Sequence, residues 1–442
     1  MKKYYRIIDA LYIVPLTFCL CAYPIVYGSP FSLIPIGALF LLCNVFPGLL
    51  RPDINNDRLL VTYHGSVLLC ITAATMPLSA IYYTVLGFYT PPSEHRALLW
   101  AGVYTVSLYL ILIANGAISL YLTSVQLGIK WRALGILLAI IPVVNLIILG
   151  KMVARALREV DFEIMREERN RARADDKVAA TKYPLVLVHG IFMRDWPIFN
   201  YWGRIPEELE RNGARIYYGE HQSARPVFES AKELADRIRW IVTKTGAEKV
   251  NIIAHSKGGL DCRYAIKHYG IGPLVASLTT VNSPHRGCRF AERLLRVSPR
   301  WLKRRVENAY NKSFVFLGDK NPDFMAGVRD LAASVCEPRD KELGVPEGIF
   351  CQSVGSVQNR GRFGRFPMNV SMPYVKRFDG DNDGLVGTHS FAFGERLIMI
   401  TTTGKRGISH LDVIDLSRED IKGFDVREFY VGLVSDLKSR GL

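Results

Sequence analysis

The 442-residue sequence contains eight cysteines, yet none of them lies at the spacing of a metal site. Four lie within strongly apolar runs, where cysteine ordinarily serves as a small buried side chain. The others form no CxxC pattern, and Cys336 and Cys351 would pair only if their domain faced an oxidising space. Internal repeats and low-complexity tracts are also missing. These absences argue against a zinc domain, a disulfide scaffold and a repeat protein.

Charged residues are absent from Ala10 to Leu50, a stretch too long for a signal peptide. Further apolar runs follow, each about long enough to cross a bilayer. We therefore predict an all-α transmembrane region over residues 1–150. Its four spans lie at roughly 10–28, 31–50, 59–89 and 98–125, and the shorter run at 133–150 is a fifth or partial span.

Positive charge dominates the chain, with 56 Lys and Arg against 41 Asp and Glu, for a net charge of +15. A basic balance suits nucleic acid or an anionic membrane surface. The positive mean hydropathy of +0.12 favours the membrane, so we predict a bilayer partner and no nucleic acid. Residues 151–182 read as a charged amphipathic helix and linker. With four spans, the basic flanks place both ends of the chain in the cytoplasm, whereas five spans would separate them.

Short strand-like runs alternate with helical patterns from residue 183 to the end. Examples are the runs at 185–188, 215–218, 250–254, 278–281 and 396–401. Such alternation predicts an α/β domain over 183–442, with a mostly parallel sheet covered by helices on both faces.

One of these strands, Val250 to Ala254, meets a helical pattern across a sharp turn with Ser256 at its apex. A nucleophile elbow has this arrangement and needs small residues beside the serine. Ala254 stands where glycine is usual, and Gly258 fills the second small position. The alternative is an ordinary strand-to-helix turn that happens to contain a serine.

Candidates for an acid and a base follow in chain order. Asp383 lies in an acidic, glycine-punctuated turn, and His410 follows the late strand. The acidic turn could instead be solvated or bind calcium, but Ser390 stands where an EF-hand loop requires glutamate. His389 is a rival base, less well placed because it precedes the late strand.

An oxyanion hole needs two preorganised backbone amides. The residue after the nucleophile, Lys257, supplies one amide. The turn after the first strand supplies the other through Ile191, because Gly190 allows a tight turn. A plain turn after a strand is the alternative for the second position.

These features resemble the true lipases of the Pseudomonas and Burkholderia type, within the α/β-hydrolase superfamily. The matching stretches lie at 183–190, 201–207, 212–214, 245–260, 283–287, 382–386 and 410–412. The resemblance implies a catalytic triad of Ser256, Asp383 and His410. It assigns the oxyanion amides to Ile191 and Lys257.

The sequence departs from these lipases in three respects. Lys257 replaces the usual glutamine, which predicts a positive charge beside the nucleophile. The resemblance implies a structural calcium site with two aspartates, and Asp412 matches the second. No acid occurs from Gln352 to Arg377, where the first belongs, so we expect no cofactor. The lipases lack a counterpart of residues 1–150. The resemblance further implies a lid or fixed cap inserted at about 289–372.

Together, the sequence predicts a membrane-integral serine hydrolase that cleaves carboxylic esters of lipids. An acyltransferase or thioesterase acting on a lipid or acylated protein is the alternative within the same chemistry. A non-catalytic membrane scaffold is the alternative of another class. The expected location is a bacterial cell membrane, with the hydrolase domain in the cytoplasm.

Overall fold

The computed structural model describes residues 2–141, 143–191, 200–222, 224–316 and 318–442. The chain forms two compact units, Met1–Arg171 and Ala172–Leu442. Each is described by itself below.

The first unit is helical. Its α-helices are α1 (Lys2–Leu11), α2 (Ile13–Leu20), α3 (Tyr23–Gly28), α4 (Leu33–Val45), α5 (Asp57–Tyr89), α6 (His95–Thr123), α7 (Gly128–Leu137) and α8 (Val144–Ala172). Helix α8 begins inside the predicted fifth span and continues through the predicted linker. Its buried side chains, among them Met152, Ala156 and Val160, pack into the apolar cores of this unit.

Two helices within the described residues are long and apolar enough to cross a membrane, as judged by length and composition. They cover Asp57–Tyr89 and Pro92–Thr123, and they correspond to the predicted spans at 59–89 and 98–125. The other predicted spans do not form single long helices. The first is divided between α2 and α3, and α4 has only 13 residues where a span needs about 20. The run at 133–150 is divided between α7 and α8.

The second unit alternates strands and helices. In chain order they are β1 (Leu185–Val188), α9 (Ile205–Arg211), β2 (Ile216–Tyr218), α10 (Val227–Thr245), β3 (Val250–His255), α11 (Lys257–His268), β4 (Val275–Val281), α12 (Arg289–Val297), α13 (Arg300–Phe316), α14 (Phe324–Arg329), α15 (Ala333–Leu343), β5 (Phe350–Ser356), α16 (Met368–Asp379), β6 (Arg396–Ile400) and α17 (Val426–Ser439). The strands form one parallel sheet in the order β2-β1-β3-β4-β5-β6. This confirms the predicted α/β architecture.

Side chains alternate between the two faces of the sheet along each strand, and helices cover both faces. In β1, Leu185 and Leu187 enter a core that includes residues of α9 and α17. Val186 and Val188 enter the opposite core, which includes residues of α10 and α11. Because all six strands are parallel, their carboxyl ends lie together at one edge of the sheet. An open α/β fold forms its site at this edge.

Strand β5 corrects the predicted insertion at 289–372, because it lies inside that range and pairs with both β4 and β6. Its polar side chains interrupt the apolar pattern by which the other strands were predicted. Gln352 is fully buried, donates to Thr279 at 2.9 Å and accepts from Arg396 at 2.7 Å. The insertion between β4 and β5 therefore comprises α12 to α15. Cys336 and Cys351 are both free thiols.

Candidate active site

Ser256 occupies the turn between β3 and α11 with φ of +55° and ψ of −129°. A residue with a side chain adopts positive φ only at a cost of about 1–3 kcal/mol, which surrounding contacts must hold. The small neighbours are required by close packing. A Cβ atom at Gly258 would lie 2.6 Å from the carbonyl oxygen of His189, and one at Gly259 would lie 2.2 Å from Ser283 Oγ. This is the strained geometry of a nucleophile elbow.

Ala254, which precedes the turn, replaces the usual glycine without disturbing the turn. Ala254 is fully buried and pairs with Val188 on one side and Thr280 on the other. Its methyl group belongs to the core formed with α10 and α11. Alanine at this position therefore adds a core contact.

Asp383 and His410 form a close pair. His410 Nδ1 lies 2.6 Å from Asp383 Oδ2, and the His410 amide donates to the Asp383 carbonyl at 2.8 Å. The other carboxylate oxygen accepts from the amides of Leu385 and Val386 at 2.9 and 2.8 Å. Both side chains are buried. This pairing orients the imidazole with Nδ1 toward the carboxylate and leaves Nε2 for a reactant.

Ser256 and His410 border the same apolar cavity, whose volume is about 350 Å³. No hydrogen bond joins Ser256 Oγ to the His410 imidazole among the described contacts. Such bonds are often long without substrate and tighten when one binds. The apolar lining includes Leu294, Leu295, Met325, Val328, Leu385 and Val386.

The rival base lies elsewhere. His389 is partly exposed, and its Nε2 atom lies 3.9 Å from Asp379 rather than beside Asp383. It does not border the cavity that contains Ser256. The geometry therefore favours His410 over His389.

The two predicted oxyanion amides lie on segments that pack around Ser256. A Cβ atom at Gly190 would approach Ser256 Cβ to 2.8 Å, so the turn carrying Ile191 passes directly against the nucleophile. Lys257 is the first residue of α11, and the first amides of a helix have no partner inside the helix. A positive helix end beside the serine favours developing negative charge.

The lysine side chain does not place a cation beside the nucleophile, contrary to the sequence prediction. Lys257 is fully buried, and its Nζ atom donates to Asp261 at 2.8 Å and to Ser230 at 3.0 Å. Ser230 lies on α10, so the side chain extends toward that helix. The ammonium group is neutralised one turn along α11 and does not border the cavity of Ser256.

Tyr201 and His255 link the three loops of the site, and neither role was predicted from the sequence. His255 Nε2 lies 3.1 Å from the carbonyl oxygen of His410, so this nitrogen must carry the hydrogen. Burial and the neighbouring His410 lower the pKa of His255 well below its ordinary value. The ring is therefore neutral, and its Nδ1 accepts from Tyr201 Oη at 2.6 Å. Tyr201 Oη in turn accepts from the Gly190 amide at 2.9 Å.

Asn282 is a third residue whose role in the site was not predicted from the sequence. It follows β4 with φ of +48°, a conformation that asparagine tolerates better than most residues. Its Nδ2 atom donates to Asp383 Oδ2 and to Ser356 Oγ, both at 2.7 Å. It thereby holds the carboxylate oxygen that faces His410. Its position as a polar residue directly after a central strand could have indicated a role in the site.

The residues around Asp412 do not fit a calcium ion. Its Oδ1 atom accepts from Arg406 Nη2 at 2.7 Å, and its Oδ2 atom accepts from Ser409 Oγ at 2.7 Å. Arg406 also pairs with Glu419. Within the described residues, no group of three or more His, Cys, Asp or Glu side chains could hold a metal ion. The carboxylate that the resemblance assigned to calcium thus pairs with a guanidinium group.

Because Arg406 ties down the loop that carries His410, a calcium chelator should leave the rate of ester hydrolysis unchanged. Arg406→Ala should lower that rate by up to about 100-fold, since small displacements of a catalytic group have effects of this size. Arg406→Lys should recover part of the loss. Steady-state kinetics with and without chelator measure both effects. Lys405→Ala, which removes the exposed neighbouring cation, is the control. Loss of activity in chelator that calcium restores would contradict this account.

Comparison with known proteins identifies the fold family of the second unit. The α/β-hydrolase fold family matches residues 183–324. A triacylglycerol lipase of Burkholderia plantarii is 35% identical over 210 residues, covering 42% of this chain and 58% of that lipase. One of Pseudarthrobacter phenanthrenivorans is 34% identical over 206 residues, covering 42% and 64% respectively.

A triacylglycerol lipase of Vibrio cholerae is 30% identical over 238 residues, covering 49% of this chain and 75% of that lipase. The chain therefore spans about three-fifths of the length of the first two relatives and three-quarters of the third. With its parallel sheet and strained serine turn, the chain belongs to the triacylglycerol lipase family of α/β-hydrolase fold proteins.

Proposed function

We propose that this protein hydrolyses carboxylic esters of lipids, with Ser256 as nucleophile, His410 as general base and Asp383 as the acid that orients it. The observation that carries the proposal is the apolar cavity bordered by both Ser256 and His410. The 2.6 Å contact between His410 and Asp383 supports the assignment of base and acid. A serine hydroxyl needs such a base, because it is otherwise a poor nucleophile.

In the first half of the reaction, Ser256 Oγ bonds to the acyl carbon and its proton passes to His410 Nε2. The amides of Ile191 and Lys257 donate to the oxygen that becomes negative. The ester carbon–oxygen bond then breaks, and His410 returns the proton to the departing alcohol. Asp383, fixed by Asn282, stabilises the positively charged imidazole throughout.

In the second half, His410 takes a proton from water, which attacks the acyl-enzyme. Collapse of the second tetrahedral intermediate releases the carboxylic acid and restores the Ser256 hydroxyl. The chain itself supplies every group in this sequence, and no step needs a metal ion.

The cavity favours a long apolar acyl group over a small polar one. Its lining is mainly aliphatic and aromatic, and burial of each methylene group contributes about 0.8 kcal/mol. Helices α12 and α13 provide part of this lining through Leu294, Leu302 and Val306. We propose that these two helices form the lid over the acyl site.

We also propose that the protein is membrane-integral through α5, α6 and the shorter apolar helices near them. Many apolar side chains of α6 are exposed in the structure, among them Leu99, Val106, Leu110 and Leu122. Apolar surface of this extent suits lipid better than water. The basic flanks of the apolar region support a cytoplasmic hydrolase domain.

A fluorophosphonate probe tests the proposal in cells. Labelling should occur at Ser256, identified by mass spectrometry of the modified peptide, and purified protein should release fatty acid from acylglycerols. Labelling by an impermeant probe should require permeabilised cells if the domain is cytoplasmic. Folded protein that neither labels nor hydrolyses esters would favour a scaffold. Transfer of the acyl group to an added alcohol, without release of acid, would favour an acyltransferase.

A further inference from the structure

Helices α12 and α13 carry a concentrated positive charge over the cavity of Ser256. Residues 289–316 contain eight Lys and Arg against two Glu. The structure describes every residue of both helices, and Phe314 is the only one of them that is buried. The inner side of the helices lines the cavity through Leu294, Leu302 and Val306. The charge therefore lies on two helices that border the cavity of Ser256 but bury only one side chain between them.

Six of these cations are exposed and make no ion pair within the described part of the chain. They are Arg293, Arg296, Arg300, Arg304, Arg305 and Lys312. Elsewhere the surface cations often have carboxylate partners, such as Arg237 with Glu220 at 2.6 Å. Like charges this close repel one another unless an external anion compensates them.

The cations on α13 follow the helical repeat. Arg300, Arg304 and Lys312 lie four and eight residues apart, with Asn308 between the last two, so they form one stripe. A shallow surface cavity of about 850 Å³ runs along this stripe. Several anionic groups in a row would fit it better than a single small ion.

Large apolar side chains project beside the cations. Val297 is 54% exposed, Trp301 65% and Phe316 81%. A helix that presents Lys and Arg together with Trp and aliphatic groups is typical of a segment lying in the membrane interface. Tryptophan in particular favours the head-group level. A nucleic acid would match the charge but would leave the apolar side chains in water.

We propose that the outer surface of α12 and α13 docks on a bilayer containing anionic phospholipid. The stripe of Arg300, Arg304 and Lys312 contacts the phosphate groups, and Trp301 enters the interface beside them. Docking would hold these two helices against the lipid surface and place the cavity of Ser256 next to lipid substrate. The proposal rests on the proposed hydrolysis only for the identity of that substrate, since the binding itself needs no catalysis.

Fluorescence quenching by brominated lipid tests the docking directly. The full chain, carrying Ser256→Ala and purified in neutral detergent, is mixed with brominated phosphatidylglycerol or brominated phosphatidylcholine. A matching chain with Trp301→Phe provides the signal of the other five tryptophans, which is subtracted. Phosphatidylglycerol should quench Trp301 at a much lower mole fraction than phosphatidylcholine. Salt near 0.5 M should remove most of the difference, because it screens exposed charges.

A triple variant, Arg300→Gln with Arg304→Gln and Lys312→Gln, identifies the surface involved. It should raise the mole fraction of phosphatidylglycerol needed for quenching by roughly 100-fold, given the contribution of each cation near an anionic surface. The control replaces Lys232, Lys244 and Lys267, exposed on α10 and α11, with glutamine and removes the same charge. It should bind like the parent chain.

Equal quenching by the two lipids would overturn the proposal, as would unchanged binding by the triple variant. A change in Trp301 fluorescence on addition of a polyanion such as heparin, with no quenching by brominated phosphatidylglycerol, would assign the surface to an acidic polymer instead. Fluorophosphonate labelling of the triple variant in the Ser256 background reports whether its site is intact. Since binding is measured without catalysis, a failure of docking and a failure of hydrolysis remain separate results.

Discussion

Replacing Ser256 with alanine should lower kcat for ester hydrolysis by about 10⁴-fold or more, the usual result of removing a triad nucleophile. The methyl group retains the Cβ that packs against Gly190 but cannot form the acyl-enzyme. Hydrolysis of a p-nitrophenyl ester, followed under steady-state conditions, measures the loss. The thermal unfolding temperature should not fall, because alanine removes only a hydroxyl from the strained turn.

Ser283→Ala is the matched control for this variant. Ser283 is also buried beside the elbow, and its Oγ atom has no hydrogen-bond partner in the described part of the chain. The change should leave the rate within about twofold of the parent, since nothing in the reaction uses this hydroxyl. A Ser256→Ala enzyme that still turns over at the parental rate would refute the proposed nucleophile.

Asp383→Asn should lower kcat/KM by a similar factor of about 10⁴. The amide keeps the shape of the side chain but replaces one acceptor oxygen with an NH₂ group. If the remaining oxygen keeps its bonds to the amides of Leu385 and Val386, the NH₂ faces His410 Nδ1 and Asn282 Nδ2. Nδ1 then becomes the acceptor, so the proton moves to Nε2, where a base is required. Protonated Nε2 can then no longer take the proton of Ser256.

The dependence of kcat/KM on pH separates this effect from a loss of stability. In the asparagine variant, residual activity should rise with pH as hydroxide replaces the missing base. Asp381→Asn is the control, because Asp381 is exposed in the same turn and its carboxylate pairs with Lys376 at 3.2 Å. It should preserve the parental rate and profile. Parental activity in Asp383→Asn, or a severe loss in Asp381→Asn, would show that the acid was assigned wrongly.

The sequence predicted the local structure around Ser256 and Asp383, because each of these features depends on a short run of residues. The strand before Ser256, its small neighbours and the turn of Asp383 are all encoded within a dozen positions. Contacts between distant positions were less accessible. The direction of Lys257 depends on Asp261 and on Ser230 of another helix. The roles of Tyr201, His255 and Asn282 depend on partners 54 to 155 residues away.

Strand β5 and the first apolar helices show two limits of reading hydropathy along a chain. Gln352 and Ser356 interrupt the apolar pattern of β5, so this strand was placed in the predicted insertion. Inside the sheet they bond to Thr279, Arg396 and Asn282. Conversely, the uncharged run from Ala10 to Leu50 looked like two spans, but the chain divides it into short helices. Composition records how apolar a segment is and does not record where its helices break.

The pairing of Arg406 with Asp412 has a consequence for where such an enzyme can work. A bound ion obeys a dissociation equilibrium, so its occupancy follows the concentration of free ion in the surroundings. A guanidinium group that is part of the chain is present at one per molecule under all conditions. We therefore expect the order of the His410 loop not to depend on the concentration of free calcium. A hydrolase built in this way can function where free calcium is scarce, including the interior of a cell.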